Sequence, residues 1–465
     1  MDTDRGLTFV RLEASPKSLA VPCLAAVLTG WAVVLALVLS RPTFVSHDTI
    51  SNYAHVWYVS DRLWHAHQLP WHMPIIGHGR AFAFPYAFIP WLTAALGRPL
   101  LGDWVVTLWL VLGCVGVAGA TLWAFPEIRA PGWAATALLN PALITACVIG
   151  QLPFLWASAL LLAGVGSWRR GRRGWAAVLV GLGQATHPAV VLPIAMALVV
   201  GWLYWERDRL ALVRWYGIAL IVALPAAALV VASPVFRESP GSTIATVFVG
   251  TLVVRALIVM VPVGLCVARA RRWTWLGAAA AGVLLGLNVA LIGPLDLGPA
   301  WSGLLRHPDT QLVAFVRSPS FRPGATYRLL RSGDFKVGMY QLIQHGGRLD
   351  SELFPESIDR RSWPTLAAYA GFLRDRGVDY VLVFDSYDRR FQTNEHELVR
   401  RLVTLSQQRA ATGLVGARLV VDAPQYDLYR IDRGRGKVRG SRARADVGTG
   451  HQPPLDRLTD RGRMR

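Results

Sequence analysis

The sequence predicts an α-helical polytopic membrane protein of about nine spans carrying a small C-terminal α/β extracytoplasmic domain. Three observations predict it. Residues 19–293 form one apolar run after another, short basic connections separate several of these runs, and the composition turns to ordinary mixed charge near Trp301. Across the 465 residues, 53% are hydrophobic and only 17% charged, against roughly 25% charged in a soluble domain.

The first element is the uncharged stretch from Leu19 to Leu39, long enough at about 1.5 Å per residue to cross a hydrocarbon core. Arg5, Arg11 and Lys17 precede it, yet it is too long for a signal h-region and no small-residue cleavage site follows. A retained signal-anchor with residues 1–18 in the cytoplasm is the expectation. Residues 40–80 then form an external loop that is polar and rich in aromatics.

Further apolar segments lie near 82–100, 104–125, 133–150, 152–168, 174–187, 189–205, 211–232, 243–268 and 273–293. The connections Arg169-Arg170-Gly171-Arg172-Arg173, Arg207-Asp208-Arg209 and Arg269-Ala270-Arg271-Arg272 mark the cytoplasmic side. The net charge of +19 therefore reads as topology, not as a nucleic-acid footprint. Four apolar segments stand between the external loop and the first basic connection, where an odd number of crossings is required. The Pro-interrupted stretch Phe84-Pro85-Tyr86 through Pro90 and Pro99 is the one expected to be interfacial or re-entrant, because proline removes a backbone donor and breaks helices.

Residues 301–432 read as a soluble α/β domain. Thr365 to Arg376 has helical spacing with Gly377 as cap, Val378 to Phe384 is a buried-strand pattern, and Arg418–Val421 with Tyr426–Ile431 form a hairpin around Ala423-Pro424. Residues 433–465 hold ten Lys/Arg against three Asp with few apolar groups, the composition of a disordered basic tail. Cys23, Cys114, Cys147 and Cys266 all fall in apolar segments, so neither a disulfide framework nor a CxxC zinc site is on offer.

Chemistry concentrates at the first boundary. His47, Asp48, His55, Asp61, His65, His67, His72 and His78 crowd the external loop, with Trp57, Tyr58, Trp64 and Trp71 among them. The aromatics suit a membrane interface. The histidine spacings match no zinc motif, and the loop has no DxD pair, although a divalent metal held by carboxylate and phosphate oxygens is compatible with it. Asp48, beside His47 at the end of a span, is a candidate general base for an acceptor hydroxyl. Equally, Asp48 is a candidate N-cap for a helix over Thr49–Leu63. Arg62, His78 and Arg80 are cations available to a phosphate leaving group. His55 joins them as a substrate-binding candidate. Gly150-Gln151 and Gln184 with His187-Pro188 are polar breaks near the expected outer face, where Gln151 and His187 are candidates to line a head-group cavity.

This organisation resembles the membrane-embedded class C glycosyltransferases. The features carrying the resemblance stand in order: a first span followed by His47-Asp48, the Pro-rich segment Pro85 to Pro99, Asn140-Pro141 with Gly150-Gln151 between spans, and a C-terminal α/β domain ending in Tyr426-Asp427-Leu428-Tyr429-Arg430-Ile431. The resemblance implies sugar transfer from a polyprenyl-phosphate donor to an envelope glycan, lipid or protein, by an inverting displacement with the first-loop acid, Asp48, as base. Many members carry a paired acidic motif there; this chain has His47-Asp48. The implied partners are the polyprenyl-phosphate sugar and membrane lipids, with no nucleic acid and no cofactor that the residues demand. Two rival readings are a transporter or flippase of lipid-linked intermediates, which would need ionisable groups throughout its spans where Arg255 stands almost alone, and a non-catalytic membrane scaffold.

Overall fold

The structure is a computed structural model that describes residues 16–40, 49–79, 81–203, 208–232, 241–270, 274–292, 315–330, 337–350, 362–384, 393–408, 415–424 and 426–432. His47, Asp48, Arg80, the N-terminal segment and the tail 433–465 lie outside the described residues, as does the side chain of His78.

The chain is a membrane protein. Its helices are α1 (Pro16–Val38), α2 (Thr49–His65), α3 (Phe88–Leu101), α4 (Trp104–Ala124), α5 (Pro131–Leu138), α6 (Pro141–Val148), α7 (Leu152–Arg169), α8 (Arg173–Thr186), α9 (Pro188–Leu203), α10 (Arg209–Ala232), α11 (Gly241–Ala270) and α12 (Thr274–Ile292). Their outward side chains are apolar, with Leu28, Leu100, Val200, Ile221 and Leu224 all exposed. A surface of that kind is stable only against lipid.

Nine crossings are not confirmed. Among the described residues three helices are long and apolar enough to span, Leu19–Val38, Trp104–Ala124 and Arg209–Ala232, or four if the bent pair α5–α6 is one span. Proline accounts for three of the segments that do not count as spans. The segment near 133–150 is two helices bent by 47° at Asn140-Pro141, where the Asn140 side chain caps the second by accepting from the Ala142 N–H at 3.0 Å. The segment near 82–100 is helical only over the 14 residues of α3, about 21 Å of rise against a hydrocarbon core of roughly 30 Å. His187-Pro188 likewise separates α8 from α9, with Pro188 at the first position of α9, where its missing N–H leaves no hydrogen bond unmade.

Small residues let these short helices pack closely. A Cβ on Gly181 would lie 2.8 Å from the Ala219 carbonyl of α10, and one on Gly183 2.8 Å from the Ala157 carbonyl of α7. Glycine at both positions therefore sets the approach of α8 to its neighbours on either side.

The C-terminal unit contains β1 (Thr326–Leu330), α13 (Val337–Gln344), β2 (Arg348–Leu349), α14 (Leu366–Asp375), β3 (Tyr380–Phe384), α15 (Glu395–Gln407), β4 (Gly416–Ala423) and β5 (Tyr426–Asp432). The sheet order is β2-β1-β3-β5-β4, with β1 parallel to β2 and β3, and β5 antiparallel to β3 and β4. Strand, helix and hairpin thus stand where their patterns predict, with Thr365 capping α14 through the Ala368 N–H at 3.1 Å and Gly377 in the left-handed region that ends it.

Alternation along the strands divides the sheet between two cores. Leu330, Val381, Val383, Tyr429 and Ile431 pack on Tyr369, Leu373, Leu398 and Leu402 from α14 and α15. Tyr327, Leu329, Leu382 and Leu428 instead join the cluster that contains the membrane helices. Polar bonds fix this second contact. The Leu349 N–H donates to the Ile75 carbonyl at 2.8 Å, and the Tyr340 hydroxyl donates to Asp103 Oδ1 at 2.8 Å, while the Tyr340 ring lies 5.8 Å from Tyr53 of α2. Burial first, and the Asp103 carboxylate second, hold the Tyr340 phenol protonated well above its ordinary range, so it acts as a donor.

Candidate functional site

Helix α2 is buried along almost all its length from Thr49 to Ser60 although many of its residues are polar. A polar helix in that position must satisfy each group internally. Asn52 does so twice: its Nδ2 donates to the Gly150 carbonyl at 3.1 Å and its Oδ1 accepts from Trp91 Nε1 at 2.8 Å. The Tyr53 hydroxyl meets Thr107 Oγ1 at 2.6 Å. One turn after Asn52, on the same helix face, His55 Nδ1 donates to the Ala83 carbonyl at 2.9 Å; a carbonyl only accepts, so this nitrogen carries the proton.

From His55 a string of rings runs across the molecule. His55 stacks on Trp91 with centroids 4.2 Å apart, Trp91 meets Tyr86 at 5.2 Å, Tyr86 meets His187 at 5.4 Å, and His187 meets Phe154 at 6.3 Å. At the far end the Arg255 guanidinium of α11 lies over Phe154, 5.4 Å from its centroid. Five separate stretches supply these six residues: α2, the segment from Tyr86 to Trp91, the start of α7, the break at His187 and the middle of α11. The loop before α3 is tied to the end of α8 by the Ala87 N–H, which donates to the Thr186 carbonyl at 2.9 Å. Ala87 itself is left-handed, with φ of 62°, a conformation that costs an alanine energy and persists only when neighbours enforce it.

His55, Trp91, Asn52 and Phe154 are buried, whereas Tyr86, His187 and Arg255 are half-buried. The first four therefore hold the arrangement, and the last three are the groups able to meet a ligand. Arg255 stands out chemically, because a cation within a membrane helix is costly unless an anion or an aromatic face meets it.

Of the sequence candidates, the structure brings His55 and His187 into this string and places Gln151 immediately after Gly150, whose carbonyl holds Asn52. Gln151 is buried at the entry to α7. Arg62 is not brought in: two turns beyond His55, its guanidinium lies 5.9 Å from the Tyr58 centroid. Among the described loop side chains, His65 pairs with Asp61 at 3.1 Å on the surface and His72 is edge-on to Phe82, both apart from the string. Among the described residues no three His, Cys, Asp or Glu side chains come together as metal ligands. Asn52, Trp91, Tyr86 and Phe154 carried no signal as site residues; the one clue was the i, i+3 spacing of Asn52 and His55 on a helix too polar for its burial. Arg255 was conspicuous only as a solitary charge in an apolar segment.

Burial pushes the His55 imidazole from 6.5 down to about 4, offset in part by its bond to Ala83. A lowered folded-state value means that the unfolded chain binds the proton first. The stability that neutral His55 contributes is therefore full above about pH 6.5 and is lost as pH falls towards 4, by an amount on the order of 3 kcal/mol. Thermal denaturation of the wild type and His55→Gln between pH 4 and pH 7 checks this. The wild type is expected to lose melting temperature steadily across the window, and the variant to show a flatter profile from a lower start.

No protein-family model matches the chain, and no curated protein matches it. Two solved structures are similar to it, both of ArnT from Cupriavidus metallidurans. The apo form aligns at 15% identity and a TM-score of 0.44, covering 89% of this chain and 98% of that one. The form bound to undecaprenyl phosphate aligns at 13% identity and a TM-score of 0.39 with the same coverage. At such identities and scores the likeness assigns no residue a role and no substrate to this chain.

Proposed function

We propose that the protein is an integral-membrane glycosyltransferase that takes a sugar from a polyprenyl-phosphate donor and passes it to an envelope glycan, lipid or protein acceptor on the external face. The observation that carries this reading is the string from α2 to Arg255. It joins the helix that follows Asp48 to the single arginine near the middle of α11, through half-buried Tyr86 and His187.

In this reading Asp48, directly before the buried residues Thr49 and Ile50, removes the proton from an acceptor hydroxyl. The acceptor oxygen bonds to the anomeric carbon as the bond from that carbon to the phosphate oxygen breaks. The electron pair leaves on the polyprenyl phosphate and the proton passes from Asp48 to water. Arg255 meets the phosphate, whose charge grows as the bond breaks, and its cation is worth more in a low-dielectric setting than in water. His187 and Tyr86 supply polar groups beside it. The N-terminus and the basic connections are cytoplasmic in this arrangement, and the α/β unit is external.

Binding of undecaprenyl phosphate to the purified protein tests the reading. Arg255→Gln is expected to weaken binding about tenfold to a hundredfold, the usual worth of a hydrogen bond to a charged group, with Arg255→Lys intermediate. Unchanged binding in Arg255→Gln would overturn the assignment.

A further inference from the structure

A second feature lies at the opposite end of the same helices, and the proposed sugar transfer makes no use of it. Between the halves of α7, α8, α9 and α10 nearest the basic connections runs an apolar groove lined by Trp168, Val180, Leu198, Trp202, Trp215 and Ala219, among others. On α7 it extends from Trp168 back to Leu161, and on α10 from Leu212 to Ala219, about 10 Å in each case. Buried Gln184 donates from Nε2 to the hydroxyl of the groove-lining Tyr216 at 2.9 Å, which engages the one phenol in the lining. The groove therefore admits an apolar chain from the side and offers nothing to a sugar.

Its mouth is charged. Arg173 Nη1 pairs with Asp208 Oδ2 at 3.0 Å, which draws the α7–α8 turn to the start of α10 and neutralises the acid at the rim. Arg172 and Arg209 are exposed and adjoin that pair in sequence, Arg172 before Arg173 and Arg209 after Asp208. Two cations thus flank an opening at which the carboxylate of Asp208 is already matched. An apolar slot with a cationic rim, flanked by tryptophans, is complementary to a molecule with an acyl chain and an anionic head.

We infer that this groove binds one anionic diacyl phospholipid of the leaflet facing the basic connections, an acyl chain lying between α7 and α10 and its phosphate at Arg172 and Arg209. The site is separate from the string at His187, since the length of α8 from Arg173 to Thr186 puts about 20 Å between them. The inference does not depend on sugar transfer.

Native mass spectrometry of the full chain, incubated with phosphatidylglycerol and phosphatidylcholine of identical acyl chains, tests it. The wild type is expected to retain one phosphatidylglycerol with at least tenfold preference. The combined variant Arg172→Ala, Arg209→Ala is expected to lose the preference, and Val199→Trp, which fills the groove from α9, to lose retention of both lipids with the arginines intact. Equal retention of the two lipids by the wild type, or a preference unchanged in the double arginine variant, would overturn the proposal.

Discussion

Replacing Asp48 by asparagine is expected to lower sugar transfer by about 10²- to 10⁴-fold while the protein inserts, folds and binds polyprenyl phosphate as before. The substitution separates two roles that the sequence leaves superimposed. Asparagine caps a helix about as well as aspartate, because its side-chain oxygen accepts from the same backbone N–H groups. It has no proton affinity comparable to a carboxylate, so it cannot deprotonate an alcohol. A residue that merely caps α2 would thus tolerate the change, and a base would not. Asp48→Ala removes both functions and should add a stability loss of about 1 kcal/mol to the same loss of transfer. The decisive measurement is release of polyprenyl phosphate from a labelled polyprenyl-phosphate sugar, alongside melting temperature in detergent. Transfer at the wild-type rate in Asp48→Asn would remove the mechanism, whatever the protein's fold.

How far such a site can be read from sequence depends on what each residue signals locally. The breaks at Gly150-Gln151 and His187-Pro188 were legible because proline and glycine act on their own backbone, and both are helix ends in the structure, whereas the bend at Asn140-Pro141 falls inside a stretch that reads as one apolar segment. The α14–β3 unit and the β4–β5 hairpin were legible for the same reason: their periodicity is local and their caps are adjacent in sequence. The span count was not. A 14-residue apolar helix such as α3 or α8 carries the hydropathy of a span without its length, and where a helix ends inside an apolar run depends on packing. The binding string was the least legible part. Its order is made by contacts between residues tens to over a hundred positions apart, as when Asn52 meets Gly150 or Phe154 meets Arg255. His55 was singled out for its imidazole and is held in the interior; Arg62 was singled out for its charge and faces Tyr58 instead. Residue type nominated chemistry, and only the fold could say which of the nominees meet.

Arg328→Met is expected to be the most destabilising single change in the C-terminal unit. Arg328 on β1 is fully buried, donating from Nη2 to Glu395 Oε2 at 2.9 Å, from Nη1 to Asp350 Oδ2 at 3.0 Å and from Nε to Glu395 Oε1, with its guanidinium 5.0 Å from the Phe372 centroid. Removing the cation leaves two carboxylates out of water with no counter-charge, a loss of about 3–5 kcal/mol. Methionine matches the length of the stem, so lost packing contributes little and the electrostatic cost dominates. The matched replacement Arg328→Met, Asp350→Leu, Glu395→Leu is expected to recover most of the stability, because it removes the desolvated charges together. Thermal denaturation of the three proteins distinguishes this from a simple cavity, for which the triple variant would be no better than the single one. The consequence for function follows from the two-faced sheet. Since the opposite face carries Tyr327, Leu329, Leu382 and Leu428 into the core shared with the membrane helices, and Tyr340 and Leu349 bond to Asp103 and Ile75, loss of the α/β unit strips the cover from α2. Transfer by Arg328→Met should therefore fall in step with unfolding as temperature rises, and return with the triple replacement, although none of the three residues touches the string that ends at Arg255.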